Sequence, residues 1–248
     1  MGVYLSFCKF TTVTDAKFIG FSNYLKIFTD ASFVHALWYT AIFTVVTVVL
    51  INVLAFAVAL LLTKGFRGTN IFRTVFFMPN LIGGIILGYI WQLLLNGVLL
   101  YMNRTLTYSS VYGFWGLVIL MCWQQIGYMM IIYIAGMQSL PTDVLEAASV
   151  DGANGTQTMF KIIIPLTLSG IISGIIMVFV PALTSFVISD LLGGGKVLLI
   201  GNVIEQEFMQ GTNWNLGSGL SVVLMIFVIA SMALMNIFDK DGGGTAVW

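Results

Sequence analysis

Charge is the scarcest component of this sequence. Only 8% of its 248 residues are Asp, Glu, Lys or Arg, against roughly a quarter in an ordinary soluble domain. So few charged side chains cannot cover a water-soluble globule of this length. The ten basic residues balance the ten acidic ones, which leaves no basic face for a nucleic-acid backbone. Histidine occurs once, as His35, and cysteine twice, as Cys8 and Cys122. One histidine cannot build a metal site, and two distant cysteines do not make a disulfide framework. No metal or cofactor is therefore expected. A phosphate-cradling GxxxxGK[ST] run is also missing. Gly193-Gly194-Gly195-Lys196 lacks its spacing and its hydroxyl residue, and reads as a flexible connection.

What is present is apolar. Hydrophobic residues make up 59% of the chain, and the mean hydropathy is +1.01. A disordered chain needs the opposite composition. An all-α polytopic membrane protein fits. No charge falls between Asp30 and Lys64, Arg73 and Arg104, Arg104 and Asp143, Lys161 and Asp190, or Glu207 and Asp239. The apolar hearts of these windows are Ala36–Leu62, Val75–Leu95, Phe114–Ala135, Ile162–Ile188 and Gly217–Phe238. Each is long enough for the roughly 20 helical residues that cross a bilayer, so five transmembrane helices are expected. Pro79 and Pro181 interrupt two of them, and Gly83, Gly84, Gly170 and Gly174 allow close helix packing. Trp38, Trp91, Trp115, Trp123, Trp214 and Trp248 fall largely near span ends, as interfacial belts do.

Residues 1–30 form an external or interfacial segment in this reading, and residues 31–248 the membrane domain. The loop KGFRGTNIFR (64–73) carries Lys64, Arg67 and Arg73 and no acid, which marks the cytoplasmic side. Over the whole chain the basic residues tie: Lys64, Arg67, Arg73, Lys161 and Lys240 inside, and Lys9, Lys17, Lys26, Arg104 and Lys196 outside.

One hydrophilic stretch, residues 139–165, stands apart on that cytoplasmic side. Asp143 with Glu146 reads as a capped helix start, and Val144–Val150 as a helix. Gly152 and Asn154-Gly155 break it, and a second helix runs from near Thr156 to Pro165. The spacing of Glu146-Ala147-Ala148, Gly152, Ile162 and Ile164-Pro165 resembles the EAA signature of binding-protein-dependent ABC transporter permeases, whose usual final Leu-Pro is Ile-Pro here. FIGFSNYLKIF (18–28), RGTNIFRTVFFMPNLIGG (67–84) and MQSLPTDVLEAASVDGA (137–153) resemble the sugar-importer branch. VFVPALTSFVISDLLGGGKVLLIGNVIEQEF (178–208) and WNLGSGLSVVLM (214–225) resemble the spermidine/putrescine branch. The family core usually has six spans. YLSFCKF (4–10) resembles the outer end of the first, so the first helix is expected to be missing.

The resemblance implies a non-enzymatic permease subunit of an ATP-driven importer in the plasma (inner) membrane of a bacterium or archaeon. Its partners would be a cytoplasmic ABC ATPase dimer, a second identical or homologous permease subunit and an external solute-binding protein. The elbow would dock on the ATPase. Glu146 would make the polar contact, Ala147 and Ala148 would allow close approach, Gly152 would permit the turn, and Asp151 would add a contact. The solute path would be lined by polar side chains at membrane depth: Asn52, Asn80, Gln92, Gln124, Gln125, Tyr128, Thr184 and Ser185. For each of these the competing role is a helix–helix hydrogen bond. An ion-coupled secondary transporter would need intramembrane charge, and the span hearts have none. A membrane enzyme would need a histidine or carboxylate constellation. An artificial or non-functional chain with the same family look is the remaining alternative. Sugar and polyamine stay open as solute.

Overall fold

The structure, a computed structural model, describes residues 1–10, 13–63, 65, 67–209 and 214–240, without the side chains of Val13, Asn236, Phe238, Asp239 and Lys240. Lys64, the Lys240 side chain and Trp248 thus lie outside the described residues. In chain order the helices are α1 (Gly2–Ser6), α2 (Ser22–Thr29), α3 (Ala31–Thr63), α4 (Thr69–Phe77), α5 (Gly84–Leu100), α6 (Ser110–Gln138), α7 (Thr142–Val150), α8 (Gly155–Thr158), α9 (Ile164–Leu166), α10 (Leu168–Thr184), α11 (Val187–Gly193), α12 (Ile200–Met209) and α13 (Trp214–Lys240). The described strands, β1 (Cys8–Lys9) and β2 (Lys17–Phe18), pair antiparallel with Cys8 opposite Phe18. Both cysteines are free thiols.

α3 shows why an unlikely sequence becomes helical. Its centre is rich in Val, Ile and Thr, which are weak helix formers in water. In lipid no solvent satisfies the backbone, so an isolated apolar segment must bond internally as a helix. Asp30 starts it, with its carboxylate accepting from the Ser32 and Phe33 amides at 2.7 and 3.3 Å. The hydroxyls of Thr40, Thr47 and Thr63 donate back to the carbonyls of Ala36, Phe43 and Ala59. These polar groups therefore cost little at membrane depth.

α3, α6 and residues 214–235 of α13 are each long and apolar enough to cross a membrane. The other two windows are bent. Thr69–Leu81 meets Gly84–Leu100 at 102°, and Gly155–Leu166 meets Leu168–Thr184 at 71°. Counting each bent pair as one span gives five, as the charge-free windows predict. At the first bend Pro79 sits in a 3₁₀ turn, Met78–Leu81, and Ile82 is extended. The second bend falls at Thr167, two residues after Pro165 and behind a π turn at Met159–Ile163. Pro181, by contrast, sits inside α10 and does not break it. It has only one turn of helix after it, so its lost hydrogen bond falls near the end of the helix.

The chain packs as two compact units. The first comprises Met1–Thr47, Gly83–Leu120 and Phe179–Ser231. Its core gathers Ile27, Phe33, Ala36, Ile200, Val203 and Leu220. Asn23 ties the start of the chain to this unit by donating to the Ser6 and Cys8 carbonyls. Gly88 of α5 lets Leu191 of α11 approach to 2.8 Å of where a Cβ would stand.

The second unit comprises Val48–Ile82, Met121–Val178 and the chain from Met232. Its tightest contact is at Gly127 of α6, where a Cβ would overlap the carbonyl of Phe76 and lie 2.8 Å from the Phe77 nitrogen. At Gly174 a Cβ would collide with the Met129 methyl and stand 2.9 Å from the Tyr133 hydroxyl. Of the other glycines read as packing points, a Cβ at Gly84 would make an ordinary 3.5 Å contact with Ile188, while a Cβ at Gly83 or Gly170 would meet open space.

Candidate functional site

The elbow folds as a helix, a left-handed turn and a second helix. α7 starts two residues earlier than the capping pattern predicts. Pro141 occupies the N-cap with an extended backbone and no side-chain cap. Asp143 therefore lies within the first turn instead of capping it, where its charge still complements the helix dipole. The C-terminal end is closed by a Schellman motif. The Ala153 amide donates to the Ala148 carbonyl at 3.0 Å and the Gly152 amide to Ser149 at 3.1 Å. Gly152 has φ +76° with open space around it. The position requires glycine for its backbone conformation, not for room. The capping box belongs to α8: Asn154 accepts from the Gln157 amide, and Gln157 accepts from the Asn154 amide.

Asp143, Glu146, Ala147 and Val150 recur at helical spacing and share one face of α7. All four are exposed, Val150 by 87%. Ala148 points the other way and is buried within the chain. Of the two alanines, only Ala147 is open to a partner. Asp151 and Gly152 are exposed at the turn.

The polar span residues separate into two groups. Asn80, Gln124, Gln125 and Tyr128 belong to the second unit, and Gln92, Thr184 and Ser185 to the first. Gln92 is a helix–helix tie, its amide donating to the Leu191 carbonyl at 2.6 Å. Asn52 accepts from the Tyr133 hydroxyl and donates to the Val48 carbonyl. Thr184 donates to the Val180 carbonyl of its own helix. The Tyr128 hydroxyl contacts the Met177 sulfur at 3.3 Å, and its ring lies 6.4 Å from that of Phe77. Asn80, Gln124, Gln125 and Ser185 are half-buried.

Two polar nodes join residues that no local sequence pattern links. The first is the Asn52–Tyr133 pair. The second is Asn202, which accepts from Ser189 at 2.6 Å and from the Leu199 amide, and donates to the Phe186 carbonyl. Ser189 and Asn202 are both buried, and their mutual satisfaction fixes the turn following Ser185. Beside it lies a cavity of about 540 Å³ lined by Thr184, Phe186, Glu205, Phe208 and residues of α13, with Glu205 the one carboxylate among the described lining residues.

The described residues hold no cluster of three or more His, Cys, Asp or Glu that could bind a metal. The family model described as "Binding-protein-dependent transport system inner membrane component" matches residues 52–241, which include the elbow and four of the five windows whole or in large part. The chain belongs to this family.

The permease is therefore a multi-pass membrane protein and a transport subunit. It is similar to the probable starch degradation products transport system permease protein AmyD of Thermoanaerobacterium thermosulfurigenes. The identity is 39% over 175 residues, covering 67% of the permease and 60% of AmyD. It is also similar to the spermidine/putrescine transport system permease protein PotB of Haemophilus influenzae, at 44% over 101 residues, covering 41% of the permease and 35% of PotB. The chain thus spans less than two thirds of either relative. A bacterial alginate ABC transporter, solved in complex with an alginate pentasaccharide-bound periplasmic protein, shares the fold. Its TM-score is 0.75 at 17% identity, covering 92% of the permease and 85% of that chain.

Proposed function

We propose that the permease is the membrane subunit of an ATP-driven ABC importer in a bacterial or archaeal plasma membrane. A solute-binding protein delivers the solute outside, a second permease subunit completes the path, and two cytoplasmic ATPase subunits supply the work. The observation that carries this reading is the exposed α7 face of Asp143, Glu146, Ala147 and Val150, closed by the Gly152 turn. A small residue beside a carboxylate on a short, firmly capped helix suits a rigid plug for a groove in a partner. The sorting of the loops supports the orientation: the loops 64–73 and 138–161, read as cytoplasmic, both belong to the second unit. ATP-driven closure of the ATPase pair would push on the elbow. The push would pass through α8 and α9 to the bend at Thr167 and switch the helices between two rigid arrangements.

The solute reading that the path residues favour is a neutral polyhydroxylated molecule. Asn80, Gln124, Gln125 and Tyr128 of the second unit offer amides and a hydroxyl, and no span heart carries a formal charge. One observation favours a polyamine instead: Glu205 places a carboxylate in the cavity beside Thr184. Uptake into proteoliposomes holding the whole transporter tests both. Labelled maltose should accumulate with ATP, and labelled spermidine should not. Glu146→Ala and Gly152→Val should each reduce ATP-dependent uptake at least tenfold. Unchanged uptake in both variants would remove the coupling role of the elbow.

A further inference from the structure

The end of α3, the start of α4 and the end of α6 enclose a second cavity, of about 470 Å³. It is lined by Leu62, Thr63, Gly65, Gly68, Thr69, Asn70, Ile71, Arg73 and Gln138. Its chemistry differs from that of the cavity at Glu205. The lining carries a guanidinium and two carboxamides and no acid, and no Asp or Glu occurs between residues 31 and 142. The Arg73 Nε is buried and has no hydrogen-bond partner among the described residues. A buried guanidinium N–H without an acceptor is costly, and the usual remedy is an anion.

The backbone around Arg73 is arranged for the same ligand. Gly68 is the N-cap of the nine-residue α4 and brings no side chain to its first turn. The first amides bonded back are those of Ile71 and Phe72, both to the Gly68 carbonyl. The Asn70 amide is left facing outward at the positive end of the helix dipole. Gly65 and Gly68 have φ of +71° and +94°, so this turn is built from conformations that glycine adopts at little cost. Thr63 is already committed, donating to the Ala59 carbonyl at 2.7 Å. Among the described residues, the donors that line the cavity are the Arg73 guanidinium, Asn70 and the Gln138 carboxamide.

We propose that this cavity binds a phosphate group. A planar fork with amide donors around it matches a tetrahedral oxyanion, which accepts several hydrogen bonds at once. The volume exceeds what one phosphate ion fills, leaving room for the glycerol end of a phospholipid. The cavity opens where α3 ends, at a span terminus, and an anionic headgroup is held there by just this kind of basic pocket. The site concerns neither the solute nor the ATPase and stands apart from the importer reading.

The test uses the full chain alone, purified in an uncharged detergent. Native mass spectrometry should show phosphatidylglycerol retained at least tenfold over phosphatidylcholine. Arg73→Gln should abolish the preference, Arg73→Lys should keep part of it, and Gln138→Met should weaken it severalfold while leaving the charge in place. Inorganic phosphate forms the second arm. Displacement of the lipid by millimolar phosphate assigns the site to free phosphate as well, and no displacement assigns it to the headgroup; either supports the site. Two results would overturn it. One is a folded Arg73→Gln or Gln138→Met variant that binds both probes like the wild type. The other is an Arg67→Gln variant as defective as Arg73→Gln, which would reduce the effect to diffuse surface charge.

Discussion

Gly127→Ala is the sharpest perturbation the structure allows. A methyl group at residue 127 would overlap the Phe76 carbonyl and stand 2.8 Å from the Phe77 nitrogen. Unstrained contacts lie at about 3.5–4.0 Å, so α6 and the α4 segment must part by about 2 Å to clear the Phe76 carbonyl oxygen. Both colliding atoms are backbone, and no rotamer change relieves them. Overpacking of this kind costs about 1–3 kcal/mol, and a backbone clash belongs at the upper end. Alanine regains about 1 kcal/mol of helix propensity over glycine. The net loss is about 2 kcal/mol, or a roughly thirtyfold shift in the folding equilibrium. Gly170→Ala is the matched control. Gly170 is also helical, and a Cβ there would meet open space, so the same propensity gain makes this variant neutral or up to about 1 kcal/mol more stable. Unfolding of the two variants in one detergent measures the difference. A Gly127→Ala protein as stable as Gly170→Ala would refute the packing of α6 on the Phe76–Phe77 backbone.

Three further outcomes follow from named contacts. Tyr133→Phe removes the only described partner of the Asn52 carbonyl oxygen and should cost about 0.6–1.7 kcal/mol, the range for hydrogen bonds between membrane helices; the Asn52→Leu/Tyr133→Phe pair should cost less than the sum of the single changes. Gln92→Leu breaks the bond to Leu191 and should lower thermal stability while leaving the solute KM unchanged, whereas Gln125→Leu should raise KM with little loss of stability. Burial, with the Asp30 charge second, raises the Glu207 carboxyl above its usual range. The folded protein then holds that proton more tightly than the unfolded chain, so stability falls as pH rises from about 4.3 through the raised value. Glu207→Gln should therefore stabilise at neutral pH, with the gain vanishing below about pH 4 in a pH series of melting curves.

The three straight spans and the two bent pairs were legible as apolar windows because a bilayer demands about 20 apolar residues, and the few charges punctuate the chain at its loops. The bends were less so. Proline predicts a break at Pro79, where one occurs beside the extended Ile82, but it points equally to Pro181, which α10 absorbs. The second bend depends on the π turn and Thr167, and neither has a compositional mark. The elbow was legible through Gly152, whose left-handed backbone only a glycine meets without strain. Its cap was misread because Asp143 and Asn154 are both good capping residues, and only backbone geometry decides between them. Ala147 and Ala148 are identical in the sequence, and the helix phase makes one exposed and the other buried. The Asn52–Tyr133 and Gln92–Leu191 ties join residues remote in the chain, so no local pattern announces them. Asn202 and Ser189 likewise look like ordinary loop residues until the turn closes around them.

Site-specific crosslinking tests the central claim most directly. In the assembled transporter, cysteines introduced at Ala147 and Val150, on the exposed α7 face, should crosslink to the ATPase subunit and change efficiency when ATP binds. A cysteine at the buried Ala148 should not crosslink, nor should native Cys8 and Cys122. Crosslinking that is absent at Ala147 and Val150, or equal at Ala148, would contradict the account.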